Sequence, residues 1–192
     1  MRLFIAISLD PATQSAFAAF YGTLKTRAGN SVRWVKPANI HLTLKFLGEV
    51  DQSRYQKVHS KVEEITQQFT PFDLSVNGCG VFPGWRQPRV VWAGVQAPQQ
   101  LAQLASALES GMQALDFPAE ERPFSPHLTL GRVNDWMTPP QKDMLQMEME
   151  AAKGRVFGTI HADHLTIYRS ELRPEGPVYS ELARSTFSTS KR

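Results

Sequence analysis

One tetrapeptide constrains this chain more than any other feature: His41-Leu42-Thr43-Leu44 returns unchanged as His127-Leu128-Thr129-Leu130. On a strand, successive side chains alternate faces, so in each copy His and Thr share one side and the two leucines share the other. The leucine side suits packing on a core. The imidazole and hydroxyl then project from Cα atoms about 6.6 Å apart, a separation that brackets one phosphate.

The surroundings of the two copies are also alike. Leu3 to Ile7 reads as a strand, Asp10 as an N-cap with Pro11 at the first helical position, and Phe17, Phe20, Tyr21 and Leu24 as the apolar stripe of a helix that ends at Gly29-Asn30. A short strand Arg33 to Val35 and the strand His41 to Leu47, closed by Gly48, follow. The second half repeats this order. Val90 to Val95 reads as a strand, Pro98 opens a helix carrying Leu101, Leu104, Leu108, Met112 and Leu115, and His127 to Val133 is again extended. Ala6 and His41 are 35 positions apart, Ala93 and His127 34. Between the halves, Ser53 is placed to cap a helix with Tyr55, Val58, Val62, Ile65 and Phe69 on one face, and Phe72 to Phe82 looks extended. Thr138-Pro139-Pro140 starts a fourth helix, and strands near His164 to Arg169 and Tyr179 to Phe187 complete the chain.

The expected fold is α+β: one domain over residues 1–192, made of two duplicated lobes with antiparallel sheets facing each other across a central cleft. Pro83-Gly84 and Gln87-Pro88 mark the connection, giving lobes of about 1–85 and 86–187 and a frayed tail at 188–192. Apolar residues at 42% and charged residues at 20% exclude the disordered class. No apolar run reaches the roughly 18 residues of a bilayer span, and the N-terminus lacks a cleavage-site pattern, so a soluble cytoplasmic protein without membrane contact is expected. The lone Cys79 leaves no internal disulfide and no cysteine-based zinc site. A net charge of +3 is compatible with an anionic ligand without identifying one.

If the halves are related by a pseudo-twofold axis, two imidazoles and two hydroxyls surround one ligand. Histidine is the side chain whose ordinary pKa, roughly 6.5, allows proton donation or acceptance near neutral pH. A neutral imidazole takes the proton of an attacking water while a charged one protonates the departing oxygen, and the hydroxyls of Thr43 and Thr129 donate to non-bridging phosphate oxygens. The two motifs are identical, so spacing does not say which histidine is donor and which acceptor.

With these motifs the chain resembles the 2H phosphoesterase superfamily, in particular its bacterial RNA 2′,3′-cyclic phosphodiesterase branch, also called the 2′-5′ RNA ligase family. The likeness extends to Arg2-Leu3-Phe4-Ile5-Ala6, Trp34 to Gly48, Val91-Trp92-Ala93-Gly94 and Phe124 to Arg132. The resemblance implies a bilobal fold with a central cleft and metal-free, cofactor-free hydrolysis of RNA 2′,3′-cyclic phosphate ends to 2′-phosphomonoesters; a monomer is expected. It places the proton donor on His41 and the proton acceptor on His127. Ligation needs no separate site, since a 5′-hydroxyl in place of water gives a 2′-5′ linkage without ATP, and no Gly-x-x-x-x-Gly-Lys-Ser/Thr loop is present.

Other residues are open between roles. Arg132 suits a phosphate contact, yet on a regular strand it shares the leucine face, so it reaches the cleft only if Gly131 permits a bulge; otherwise it makes a surface ion pair. Lys45 has the parity of His41 and Thr43, as a cleft residue or a solvated rim lysine. Trp34, Trp85, Phe124 and Tyr168 are candidates for stacking on a base, the loop positions Trp85 and Phe124 above all, against core or interface packing. Arg86, Arg89 and Arg169 either follow an RNA backbone or form ordinary surface. His161 and His164 face opposite sides of a strand and make a poor metal pair, His59 reads as solvated, and Gly78-Cys79-Gly80 reads as a turn or bulge. The competing functions are a phosphodiesterase acting on another cyclic nucleotide or an ADP-ribose cyclic phosphate, a non-catalytic RNA-binding module, and a metal-dependent hydrolase. The RNA-binding module is disfavoured by the absence of a Lys/Arg-Gly-Phe/Tyr-Gly/Ala-Phe-Val run.

Overall fold

The computed structural model describes residues 1–96, 98–174 and 176–189. In chain order they form β1 (Arg2–Ser8), α1 (Pro11–Ala28), β2 (Val32–Trp34), β3 (His41–Glu49), α2 (Gln52–Thr66), β4 (Phe72–Phe82), β5 (Val90–Gln96), α3 (Gln99–Gln113), β6 (His127–Val133), α4 (Pro139–Ala151), β7 (Val156–Ala162), β8 (His164–Arg173) and β9 (Gly176–Thr186). The Asp10 carboxylate caps α1 by accepting from the backbone N–H groups of Ala12 and Thr13 at 2.9 and 3.0 Å and from the Thr13 hydroxyl at 2.7 Å. Gly29, at φ 58°, stops the helix. At α2 the N-cap is Asp51 rather than Ser53, because the Asp51 carbonyl already accepts from Arg54 and Tyr55 at 3.0 and 3.1 Å. Gln141 reaches back to the Thr138 N–H at 3.0 Å to close the first turn of α4.

Every strand pair is antiparallel, and the strands make two sheets, ordered β3-β1-β8-β9 and β2-β6-β5-β4-β7. The sheets do not divide at residue 85. β4 and β5 are joined by residues 83–89 alone, and consecutive strands with so short a connection pair as a hairpin, so that boundary would cut one hairpin in two. β2 crosses to pair with β6, while β8 returns from the C-terminal end to pair with β1 and β9 pairs with β8 at the sheet edge. The helices interleave as well: α1 and α4 pack with the five-stranded sheet, α2 and α3 with the four-stranded one. The repeat is therefore one of local order, not of contiguous lobes.

β7 is the strand that the sequence pattern concealed. Phe157, Ile160 and Ala162 are buried, but Gly158, at φ 148° against the Thr13 hydroxyl, interrupts the alternation. Of the tail expected to fray, residues 190–192 lie outside the described residues, and the Ser188 N–H donates to the Phe69 carbonyl at 2.9 Å.

Candidate active site

β3 is an edge of its sheet, and β2 covers β6 only along Gly131–Val133, which leaves the His127–Thr129 end of β6 free of a β2 partner. Across these edges β3 and β6 adjoin, so the two motif strands form the seam between the sheets. Within each motif the leucines are buried while His and Thr are half-buried on the opposite side.

Both imidazoles are held by the same local device. His41 Nδ1 donates to the Asn39 carbonyl at 2.8 Å, and His127 Nδ1 donates to the Ser125 carbonyl at 2.7 Å, each two residues upstream. A carbonyl only accepts, so the neutral rings carry their proton on Nδ1 and present the Nε2 lone pair. Their environments differ. His41 stacks on Phe4 at a centroid distance of 4.5 Å, with Tyr168 beyond and Tyr179 edge-on at 5.2 Å. Burial under this aromatic layer pushes its pKa down to about 4, against a smaller opposing effect of the Asn39 hydrogen bond. His127 meets the edge of Phe82 at 5.1 Å, and Phe82 stacks on Trp92.

The two strands share a further irregularity. On β3, Ala6 faces Thr43 while Ile5 faces Lys45, so Leu44 is an extra residue; on β6, Trp92 faces Thr129 while Val91 faces Gly131, so Leu130 is extra. Each motif thus ends in a β-bulge, which reverses the parity of the residues beyond it. The burial pattern agrees: Leu44 and Lys45 are both buried, as are Leu130 and Gly131, and the next residues, Phe46 and Arg132, are exposed. The bulge at Gly131 brings Arg132 to the His127–Thr129 face, as the sequence required for a phosphate contact. A side chain at 131 would not fit, since an added Cβ would lie 2.6 Å from Val32 and 3.1 Å from Trp34. The charge of Arg132 is also felt across the seam: burial raises the pKa of the Tyr179 phenol, and Arg132 together with Arg2 lowers it in part.

The matching bulge at Leu44 on β3 corrects the expectation for Lys45. Its side chain turns to the buried side, where Nζ donates to Glu109 at 2.7 Å and to the Pro118 carbonyl at 2.8 Å. Glu109 also accepts from the Glu120 N–H at 3.0 Å, tying the strand of His41 to the loop that leads to His127.

Of the aromatic candidates, Tyr168 lies on the His41 face, stacked on Phe4 and hydrogen-bonded with Ser8 at 2.8 Å. Trp34 packs on Tyr21 and Trp85 against the core, whereas Phe124 is exposed. Phe4, Phe46, Phe82, Trp92 and Tyr179 were not singled out from the sequence as site residues. Their signal was register: Phe4 faces both Phe46 and Tyr168, and Trp92 faces Thr129. Arg169 pairs with Glu171 at 2.6 Å, and Arg86 and Arg89 are exposed in the connection between β4 and β5. His161 pairs with Asp73, His164 with Asp163 and His59 with Glu63, and no group of three or more potential metal ligands occurs among the described residues. Gly78, at φ 67°, forms the bulge of β4, and the buried Cys79 thiol is pushed up to about 11 by burial. No helix among the described residues is long and apolar enough to cross a membrane.

A family model described as the 2′-5′ RNA ligase superfamily matches residues 14–174. A Methanothermobacter thermautotrophicus protein named RNA 2′,3′-cyclic phosphodiesterase is 34% identical over 182 residues, covering 95% of this chain and 96% of its own. A Thermotoga maritima protein of the same name is 32% identical, covering 97% and 96%. Among solved structures, E. coli LigT complexed with 3′-AMP superposes with a TM-score of 0.77 at 29% identity, covering 97% of each chain. A Thermus thermophilus protein gives the same TM-score and identity, covering 97% and 98%.

Proposed function

Given that this chain belongs to the 2′-5′ RNA ligase superfamily, we propose that it hydrolyses RNA 2′,3′-cyclic phosphate ends to 2′-phosphomonoesters with His41 and His127 as its acid–base pair. The observation that carries this reading is the matched pair of Nδ1 hydrogen bonds, which leaves both Nε2 atoms free on adjoining strands. His127 Nε2 takes a proton from water as its oxygen bonds to phosphorus. The bond from phosphorus to O3′ breaks, and His41, protonated once the anionic substrate is bound, gives its Nε2 proton to O3′. The donor and acceptor assignment rests on the family resemblance. Thr43 and Thr129 donate to the non-bridging oxygens, and Arg132 holds the phosphate charge through its planar donor fork. Replacement of water by a 5′-hydroxyl at the same phosphorus gives a 2′-5′ linkage without ATP. The proposed setting is the cytoplasm, with the protein acting as a monomer and without a metal.

The test is product analysis on a short RNA ending in a 2′,3′-cyclic phosphate, with chelator present. A 2′-phosphate product, lost in a folded His127→Ala variant, supports the reading. A 3′-phosphate product, dependence on metal, or unchanged turnover by the variant overturns it. Equal kcat/KM for a cyclic mononucleotide and the oligonucleotide would move the substrate away from RNA.

A further inference from the structure

The four-stranded sheet curls until its two edges meet. β3 and β9 stand at opposite ends of the order β3-β1-β8-β9, yet the Asn39 side-chain amide, in the turn that leads into β3, donates to the Pro177 carbonyl of β9 at 3.2 Å. Two residues further along each segment, Tyr179 lies edge-on to the His41 ring at 5.2 Å, and it meets the Phe4 ring at 5.1 Å. A flat sheet could not make these contacts, since three strand intervals of about 4.8 Å would hold its edges roughly 14 Å apart.

The hairpin that makes this closure has little other support. β1 pairs with β8 from Leu3 to Ala6, opposite Arg169 to Thr166, so residues 170–173 and 176–179 run on past that pairing. Leu172 is 72% exposed and Val178 37%, so the far end buries little apolar surface. The ion pairs of Glu171 with Arg169 and Arg173 lie within the hairpin and do not fasten it to the body. A hydrogen bond at this end therefore has leverage that it would lack inside a core.

Asn39 has a second task, because its carbonyl accepts from His41 Nδ1 at 2.8 Å. One residue grips the imidazole with its backbone and the hairpin with its side chain. The ring is confined on three sides: Nδ1 by Asn39, one face by Phe4 and the remaining flank by Tyr179. At the second motif the arrangement differs. His127 is held by the Ser125 carbonyl, and its aromatic neighbour Phe82 belongs to β4, where it is paired with Val90.

We propose that Asn39 is a positioning residue whose side chain latches the β8–β9 hairpin over His41 and so fixes the direction in which that imidazole delivers its proton. This rests on the proposed function and adds to it a residue that acts through His41, not on the substrate.

Asn39→Ala and Asn39→Asp both remove the donor and keep the backbone carbonyl, while Asn39→Gln keeps a donor on a longer side chain. Loss of one such hydrogen bond corresponds to roughly 2- to 10-fold in the seated population of the hairpin. In the Ala and Asp variants kcat on a cyclic-phosphate RNA should fall by about that factor with KM unchanged, and Asn39→Gln should lie nearer wild type. In the same two variants amide hydrogen exchange at residues 178–180 should quicken and the His41 ring resonances should shift as Tyr179 moves away. Gly176→Ala loosens the hairpin from its other side, because φ there is 117°, and combined with Asn39→Ala it should cost no more than either change alone. A rise in KM in place of the fall in kcat, a fall in kcat with unchanged exchange at 178–180, faster exchange with unchanged kcat, additive losses in the double variant, or wild-type behaviour of Asn39→Asp would each overturn the latch. A wild type without cyclic-phosphate turnover would refute the proposed function instead, and exchange together with the His41 resonances would then still decide whether the latch exists.

Discussion

Binding of an anion should recharge His41, and the size of the effect can be worked out from the site. Burial beneath Phe4, Tyr168 and Tyr179 lowers this imidazole to about 4, so it is neutral at pH 7 in the free protein. At 1.36 kcal/mol per pH unit, the fall from roughly 6.5 corresponds to about 3 kcal/mol against the charged form. A negative charge about 4 Å from the ring, at an effective dielectric constant near 20, returns about 4 kcal/mol in its favour. A bound phosphate or sulfate is therefore sufficient to bring His41 back to its ordinary range or above. The assay is an NMR pH titration of the His41 ring, free and with saturating sulfate, whose own charge stays fixed. The midpoint should move from near 4 to above 6. Kinetics should agree: kcat/KM reports the free enzyme, so its limb requiring protonated His41 should lie at lower pH than the corresponding limb of kcat. A midpoint near 6.5 without sulfate would refute the desolvation argument. A midpoint fixed near 4 with sulfate bound would remove His41 as the proton donor.

Further outcomes are expected from the same structure. Because the folded pKa of His41 lies below its unfolded value, its contribution to stability is fully present above about pH 6.5 and is lost as the pH falls toward 4; urea unfolding should show about 2 kcal/mol of His41-dependent loss between pH 7 and 5, absent in His41→Asn. Lys45→Met should destabilise the protein by about 2 kcal/mol in the same assay, since it leaves Glu109 and the Pro118 carbonyl without their shared donor. Gly131→Ala should lower the melting temperature through a cost of about 1–3 kcal/mol, as its methyl meets Val32 and Trp34. Asp10→Ala removes the α1 cap and should cost about 1 kcal/mol, measured by urea unfolding at neutral pH.

Much of this was legible in the chain because it rests on local rules. The duplicated motif, the Asp10-Pro11 helix start and the apolar stripes of α1, α2 and α3 are consequences of periodicity and capping, which a sequence displays directly. The family resemblance drawn from the motifs agrees with the superfamily match. The hidden part depends on pairing between distant strands. Parity put Lys45 in the cleft and Arg132 away from it, and only the extra residue in each ladder, seen against β1 and β5, exchanges them. The bulge at Leu44 also moves Phe46 from the leucine face of a regular strand to the histidine face. Trp34 and Tyr168 looked alike in sequence, yet one packs beneath β6 at Gly131 and the other stands beside His41, a difference set by β2 joining one sheet and β8 the other. The expected lobe boundary failed for a related reason: sequence order suggested two halves, whereas hairpin pairing joins strands on either side of residue 85.

The return of β8 to the edge of β1, with β9 beyond it, has a consequence for synthesis. Until the segment from His164 onward has left the ribosome, β1 has an open edge and the ring of His41 lacks both tyrosines that enclose it. A nascent or prematurely ended chain holds both histidine motifs but has no finished pocket around the first. The aromatic surroundings of the first motif are thus complete only once β8 has paired with β1 and β9 with β8.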